Sequence, residues 1–363
     1  MASLVIRDVE LGNQSMNELT GRKVLVTGAT GFIGSHLARR LVTQGAQVSV
    51  FMRASSDPCL LADVLDRVAV HEVDICDEGG VSATMAQICP EVVFHLAAIG
   101  MSEPFVSPPV AVRVNVQGTL HLLEAAHQCG VQRFVHSGTA YEYGDAASDE
   151  APNKEVLDPV NTYAASKAAA RAFVRLYSRV YGLSTVNMRL FAVYGPGQPP
   201  KTLVSSAVCA ALEDRDFPMT PGEQERDFVF VGDVVESYLR AAITPGIEGV
   251  SIDLGTGRTC KIRDVVTKLF EMAGSRGKPL VGALAYRPSE TMKQVADIRA
   301  ARDLMGWQAT TTLEDGLRQT INWYRQGYTE AALQLPAAVR FPHSVALHAV
   351  RPDVFRRPST VNP

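Results

Sequence analysis

Two short patterns in this chain have residue types and spacing that could do chemistry. In Tyr163-Ala164-Ala165-Ser166-Lys167 a phenol and an ammonium stand at i and i+4, which is one face of a helix. A cation beside a phenol favours phenolate, lowering the tyrosine pKa toward the range where protons exchange with an alcohol or carbonyl. Ser137-Gly138-Thr139 follows the run Phe134-Val135-His136, and a hydroxyl there can hydrogen-bond a substrate oxygen beside the phenol. The second pattern is Thr27-Gly28-Ala29-Thr30-Gly31-Phe32-Ile33-Gly34, directly after Val24-Leu25-Val26. An apolar strand that breaks into glycines and then a helical pattern suits a dinucleotide pyrophosphate. Gly28 permits the tight turn, Gly31 lets backbone approach phosphate oxygens, and Gly34 allows close helix–strand contact. The helix that follows, near 31–45, turns its free N–H groups and positive dipole end to the anion. Taken alone, a Tyr–Lys pair reads as a surface pair and a glycine cluster as a turn; together with the hydroxyls they indicate proton exchange beside a bound dinucleotide.

The elements that must position these groups follow from periodicity. Apolar strand patterns fall at Val24–Thr27, Val48–Met52, Ala69–Val73, Val92–Leu96, Phe134–Ser137 and Ser184–Arg189, with helical patterns near 33–44, 80–88, 110–129 and 161–181. Such alternation predicts an α/β fold whose parallel sheet is doubly wound, with ligands at the carboxyl ends of its strands. Gly28, Asp74, Ala97 and Thr139 then share one edge. The predicted division is an N-terminal extension over 1–20, a nucleotide-binding domain over 21–190 to which later segments return, a mainly substrate-binding lobe over 191–330, and a tail over 331–363 rich in proline.

Composition narrows the class. The 363 residues are 46% hydrophobic and 20% charged, the balance of a soluble globular protein. A formal net charge of −3 supplies no basic field for nucleic acid and no polybasic membrane patch. No run approaches the roughly 20 apolar residues of a membrane helix, and Arg7, Asp8 and Glu10 break any signal-peptide pattern. Six scattered cysteines without a Cys-x-x-Cys pair argue against a zinc site and for a reducing cytoplasm; no metal is expected.

The combined motifs resemble the extended short-chain dehydrogenase/reductase family of NAD(P)-dependent nucleotide-sugar epimerases, dehydratases and reductases, from about Lys23 to Tyr324. The resemblance implies a Rossmann-type sheet with a smaller C-terminal α/β lobe. It implies that Gly28, Thr30, Gly31, Phe32, Ile33 and Gly34 form the cofactor turn, that Asp74 and Ile75 contact adenine, and that Leu96, Ala97 and Ala98 lie beneath the nicotinamide ribose. Asn115, in Asn115-Val116-Gln117-Gly118-Thr119, resembles the family's structural helix motif and Ser137 its cofactor-side hydroxyl. Thr139, Tyr163 and Lys167 fall on the catalytic hydroxyl, acid/base and lysine. His95 reads as a packed strand-end residue. A homodimer through a four-helix bundle of the helices near 110–129 and 161–181 is implied as well.

Cofactor and reaction are read more finely. Spacing puts Met52-Arg53-Ala54-Ser55-Ser56 where an NAD enzyme carries a ribose-binding acid. Arg53, Ser55 and Ser56 can instead donate to a 2′-phosphate, favouring NADP over NAD. Family dehydratases carry Asp-Glu after the catalytic hydroxyl; Ala140-Tyr141 cannot eliminate water. Glu142, where epimerases usually have valine, makes the turn resemble that of 4-ketoreductases acting on dTDP-, GDP- or CDP-linked 4-keto-6-deoxyhexoses. A 4-epimerase with tightly held NAD stays open, as does a smaller alcohol or aldehyde as substrate. Arg226 in Arg226-Asp227-Phe228 and Arg287 in Arg287-Pro288-Ser289-Glu290 resemble the family's diphosphate contacts, and Glu142 is read as a substrate contact or a solvated loop carboxylate.

Overall fold

In the computed structural model the described residues are 18–101, 106–147, 157–287 and 290–334. Most of the expected N-terminal extension and tail, and Pro288 and Ser289, lie outside them. Seven strands make one sheet: β1 (Lys23–Thr27), β2 (Gln47–Met52), β3 (Ala69–Glu72), β4 (Val92–His95), β5 (Arg133–Thr139), β6 (Thr185–Leu190) and β7 (Ser251–Leu254). Their spatial order is β7-β6-β5-β4-β1-β2-β3, and every pair is parallel. The chain winds outward from β1 in one direction and from β4 in the other, so a crevice opens between the carboxyl ends of those two strands. The doubly wound parallel sheet read from the alternation, and the Rossmann-type architecture that the resemblance implied, are what is found.

Both faces of the sheet are covered, which is why its strands read as continuous apolar runs. On one face α1 (Phe32–Thr43) turns Leu37, Ala38, Leu41 and Val42 onto Val24, Val26, Val50 and Phe94, and Tyr238 and Leu239 join them. Burying each such leucine stabilises the fold by about 1.5–3 kcal/mol. On the other face α2 (Glu78–Ile88), α3 (Gly118–Gln128) and α4 (Thr162–Tyr181) pack around Leu25, Val93, Leu122 and Phe134. Just before β1, Leu19 is 1% exposed and packs in the first cluster, while Glu18, Thr20 and Gly21 beside it are exposed.

Two local features position the site. The Asn161 side chain accepts from Ala164 N at 2.8 Å, starting α4 two residues before Tyr163, and Gly182 ends it at φ 70°. The single helix expected near 110–129 is instead Pro108–Ala111, a π-helical segment Val112–Gln117, and α3. The wide turn coincides with Asn115, whose amide accepts from Ile99 N and donates to Ile99 O, each at 2.9 Å, and also donates to Ser166 Oγ at 2.8 Å.

Candidate active site

A cleft of about 440 Å³ lies along the carboxyl edge of β1, β2 and β4. Gly28, at φ +74°, makes the turn that opens it, and a Cβ there would stand 2.6 Å from Ala97 N. Gly34 faces the Gly28 carbonyl so closely that a side chain has no room. Gly31 begins α1 with no side-chain cap, and the first turn carries no acidic residue, so its N–H groups face an anion without a competing carboxylate. These features fit a dinucleotide pyrophosphate.

The predicted cofactor residues divide in two. Gly28, Thr30, Gly31, Arg53, Ser56, Asp74, Ile75, Leu96, Ala97 and Ala98 line the cleft. Phe32, Ile33, Gly34, Ser55, Asn115, Ser137, Tyr163 and Lys167 are outside that lining. Ile33 packs on the core and Phe32 edge-on to His36; Ser137 accepts from the Tyr238 hydroxyl at 2.8 Å. Asp74 leaves capping to Asp77, which accepts from Gly80 N and starts α2; Asp74 instead accepts from Cys76 N and faces the cleft. Arg113 and Gly100 line the cleft too. No sequence signal ties them to it, because the π-helical turn and the crossover from β4 bring them there.

Gly100 joins the cleft to the proposed proton site: a Cβ on it would lie 3.3 Å from Tyr163 Cβ. The Tyr163 phenol lies within interaction range of the Thr139 side chain, so the structure brings these two together. Lys167 is 1% exposed, and its ammonium reaches His136 Nε2 at 3.2 Å. His136 Nδ1 lies 2.7 Å from Asn187 Oδ1, so the ring takes the tautomer that donates to the amide and accepts from Lys167.

His95 is held similarly. Thr119 donates to Asn115 O, so it accepts from His95 Nε2–H; His95 Nδ1 then accepts from Thr27, whose oxygen accepts from Ala97 N. Burial and the Lys167 charge push His95 down to about 3 and keep His136 well below the usual histidine range. Both rings are therefore neutral. His95 is the packed residue expected; His136, with no motif to mark it, was not singled out.

In the protein without bound ligands the Tyr163 phenol is held above the usual tyrosine range. Burial raises its pKa, the Glu142 charge raises it further, and only the Thr139 side chain lowers it. The lysine points at His136, and burial lowers its own pKa to about 8, opposed by Glu142. Glu142 is no solvated loop carboxylate: it is 0% exposed, and its Oε1 accepts from Thr139 N at 2.9 Å.

On the substrate side, Arg226 is buried and already engaged. It donates to Thr291 O at 2.6 Å, to Glu225 O at 3.0 Å and to Glu290 at 3.1 Å, whereas Arg287 is exposed. Neighbouring Asp227 accepts from Thr256 N and Oγ1, Gly257 N and Ala296 N. Among the described residues no cluster of side chains could hold a metal ion. None of their helices is long and apolar enough to cross a membrane.

Known proteins resemble this chain in sequence and fold. The chain is 31% identical to a UDP-glucose 4-epimerase of Mycolicibacterium smegmatis, over 84% of its own length and 98% of the relative's. It is 32% identical to a dTDP-glucose 4,6-dehydratase of Shigella flexneri, over 83% and 92%. The dTDP-glucose 4,6-dehydratase DesIV of Streptomyces venezuelae, solved with NAD bound, superposes with a TM-score of 0.76 at 27% identity, covering 85% of this chain and 98% of that one. The sequence signature of the NAD dependent epimerase/dehydratase family spans residues 24–251, and with the glycine-turned cleft and the tyrosine at its end the chain belongs to that family, an enzyme of the short-chain dehydrogenase/reductase type.

Proposed function

We propose that this enzyme is an NADPH-dependent 4-ketoreductase acting on a nucleotide-linked 4-keto-6-deoxyhexose. The observation that carries the reading is the end of β2: Met52 stands where a ribose-binding acid would, and Arg53 and Ser56 line the cleft beyond it. A 2′-phosphate meets donors there and no repelling carboxylate. Such a cofactor, exchanged at each turnover, suits net reduction.

Gly28, Gly31, Ala97 and Ala98 would hold the dinucleotide in the cleft, where it would supply hydride for a carbonyl carbon. Tyr163 gives its phenolic proton to the oxygen that becomes the alcohol: the phenol O–H breaks as the alcohol O–H forms. Burial and Glu142 keep that phenol protonated, which suits a donor better than an acceptor. Thr139 holds the phenol and reaches the same oxygen, and Lys167 supplies positive charge behind it. Ala140 and Tyr141 follow Thr139, and neither supplies the carboxylate that elimination of water needs. We assign first capture of the diphosphate to exposed Arg287, with Arg226 engaging once Glu290 gives way.

The likeness to the mycobacterial UDP-glucose 4-epimerase favours a second reading, a 4-epimerase holding NAD tightly. We also infer a homodimer in the cytoplasm. Val112, Leu176, Val180 and Tyr181 leave an exposed apolar strip on the helices near Asn115 and along α4, and all six cysteines are free. Light scattering tests the dimer.

The decisive assay mixes purified protein with NADPH and dTDP-4-keto-6-deoxyglucose, and separately with UDP-glucose and no added cofactor. Consumption of NADPH in the first is expected. Redox-neutral conversion of UDP-glucose to UDP-galactose in the second would overturn the reductase reading in favour of the epimerase.

A further inference from the structure

Glu142 is the anomaly of the site. It is a fully buried carboxylate on the turn after β5, and its Oε2 has no hydrogen-bond partner among the described residues. An orphaned buried acceptor burdens a fold, so a carboxyl kept there needs a reason other than stability. Its approach to β5 is made by Gly138: a Cβ at that position would stand 2.9 Å from Glu142 Oε1 and 2.7 Å from Asn187 Oδ1. The other oxygen-to-backbone link, Thr139 N to Oε1, joins the carboxylate to the residue whose side chain meets the phenol.

We infer that Glu142 is a positioning residue of the Tyr163–Thr139–Lys167 site: its carboxylate anchors the Thr139 backbone from beneath and is the buried counter-charge to the Lys167 ammonium. This deepens the reductase reading and rests on it for the direction of proton flow. The groups facing Glu142 are Lys167 and Arg171 from α4, Arg189 from β6, and Thr139 N–H from β5, all favouring its charged form against burial. Arg189 is itself paired with Asp253 at 2.8 Å, and Asp253 also accepts from Tyr143. The strand Lys293–Gln294 packs on the same turn. Tyr163 in turn faces Glu142, Thr139, Tyr141 and the Tyr238 hydroxyl region.

The anion acts on both partners in the same sense, holding the proton on Tyr163 and on Lys167. Both must be protonated to reduce a carbonyl. Removing the charge therefore releases both protons at lower pH, and the alkaline limb of turnover moves acidward.

The test compares wild type with Glu142→Gln and Glu142→Asp. Turnover is followed against pH on whichever nucleotide sugar is converted, with thermal melting beside it. Glu142→Gln is expected to move the alkaline limb down by about one pH unit. Glu142→Asp keeps the charge but draws it back from Thr139 N, so it is expected to hold the limb and lower kcat about tenfold. A limb unmoved in folded Glu142→Gln, or an Asp variant with full kcat, overturns the inference; if the Gln variant does not fold, the Asp variant decides. A nuclear magnetic resonance titration of ζ-carbon-labelled tyrosine, with Tyr163 assigned through Tyr163→Phe, reads the same shift without substrate. If no nucleotide sugar is turned over, the proposed reaction fails while this titration still tests Glu142.

Discussion

Asp227 and Glu142 are both carboxylates with 0% exposure, and burial raises the pKa of each, yet their surroundings differ. Asp227 accepts four hydrogen bonds, from both donors of Thr256, from Gly257 and from Ala296, which tie the strand Phe228–Phe230 to the turn after β7 and to the chain near 296. Glu142 accepts one and leaves an oxygen unpartnered. A carboxylate that serves as a strut is saturated by neighbours, because any orphaned oxygen weakens it. One held beside a proton-transfer site keeps its charge available to the reacting groups. The sequence context Arg226-Asp227-Phe228 looks like binding chemistry, but its acid is architecture; Glu142, in the turn after Thr139, is the buried carboxylate beside the proposed proton site.

The widest separation between the two regions is expected from Tyr163→Phe. Turnover should fall by about 10²–10⁴-fold with melting and cofactor binding unchanged, since one donor is lost and little packing. Steady-state assays and thermal shift with NADPH check it, and retained activity would place the chemistry elsewhere. Asp227→Ala should do the reverse at its own site, costing about 3 kcal/mol of stability by orphaning four donors, as read by urea unfolding. An Asp227→Ala protein as stable as wild type would erase the contrast with Glu142.

Acid should weaken the region beneath Tyr163 through His95. His95 is held near 3 against an unfolded value near 6.5, so the unfolded chain binds the extra proton first. Stability is then full above pH 6.5 and falls as pH drops toward 3, by about 2 kcal/mol at pH 5 for this histidine. Unfolding curves at pH 7 and 5 measure it, and His95→Asn should flatten the difference. The smallest effect is expected at the far end of the cleft. Arg53→Ala should weaken NADPH about tenfold and leave NADH within about twofold, by titration of each cofactor. Equal losses for both would remove the argument for a 2′-phosphate.

Legibility followed sequence distance. The β1–α1 turn was readable because Gly28, Gly31 and Gly34 act on one another within a few residues, through φ, close approach and helix packing. The strand alternation was readable for a like reason: a two-sided parallel strand is apolar along its whole length. The helix before Asn115 was not, since its π-helical turn answers to Ile99 and Ser166, which are distant in sequence. The Tyr163–Lys167 spacing put both residues on one helix, but not the partner that the ammonium meets. Which way an ammonium points depends on what lies opposite, and here that is His136 on β5.

Local stereochemistry and hydrophobic periodicity were thus enough to indicate a doubly wound sheet and a glycine turn suited to a pyrophosphate, because both act between near neighbours along the chain, while the family rested on the likeness of whole motifs. The charge state of the proton donor, the pairing of Arg226 with Glu290 and the burial of Glu142 emerged from packing alone. Desolvation and ion pairing depend on which groups from distant segments end up within a few ångströms, and no spacing along the chain records that.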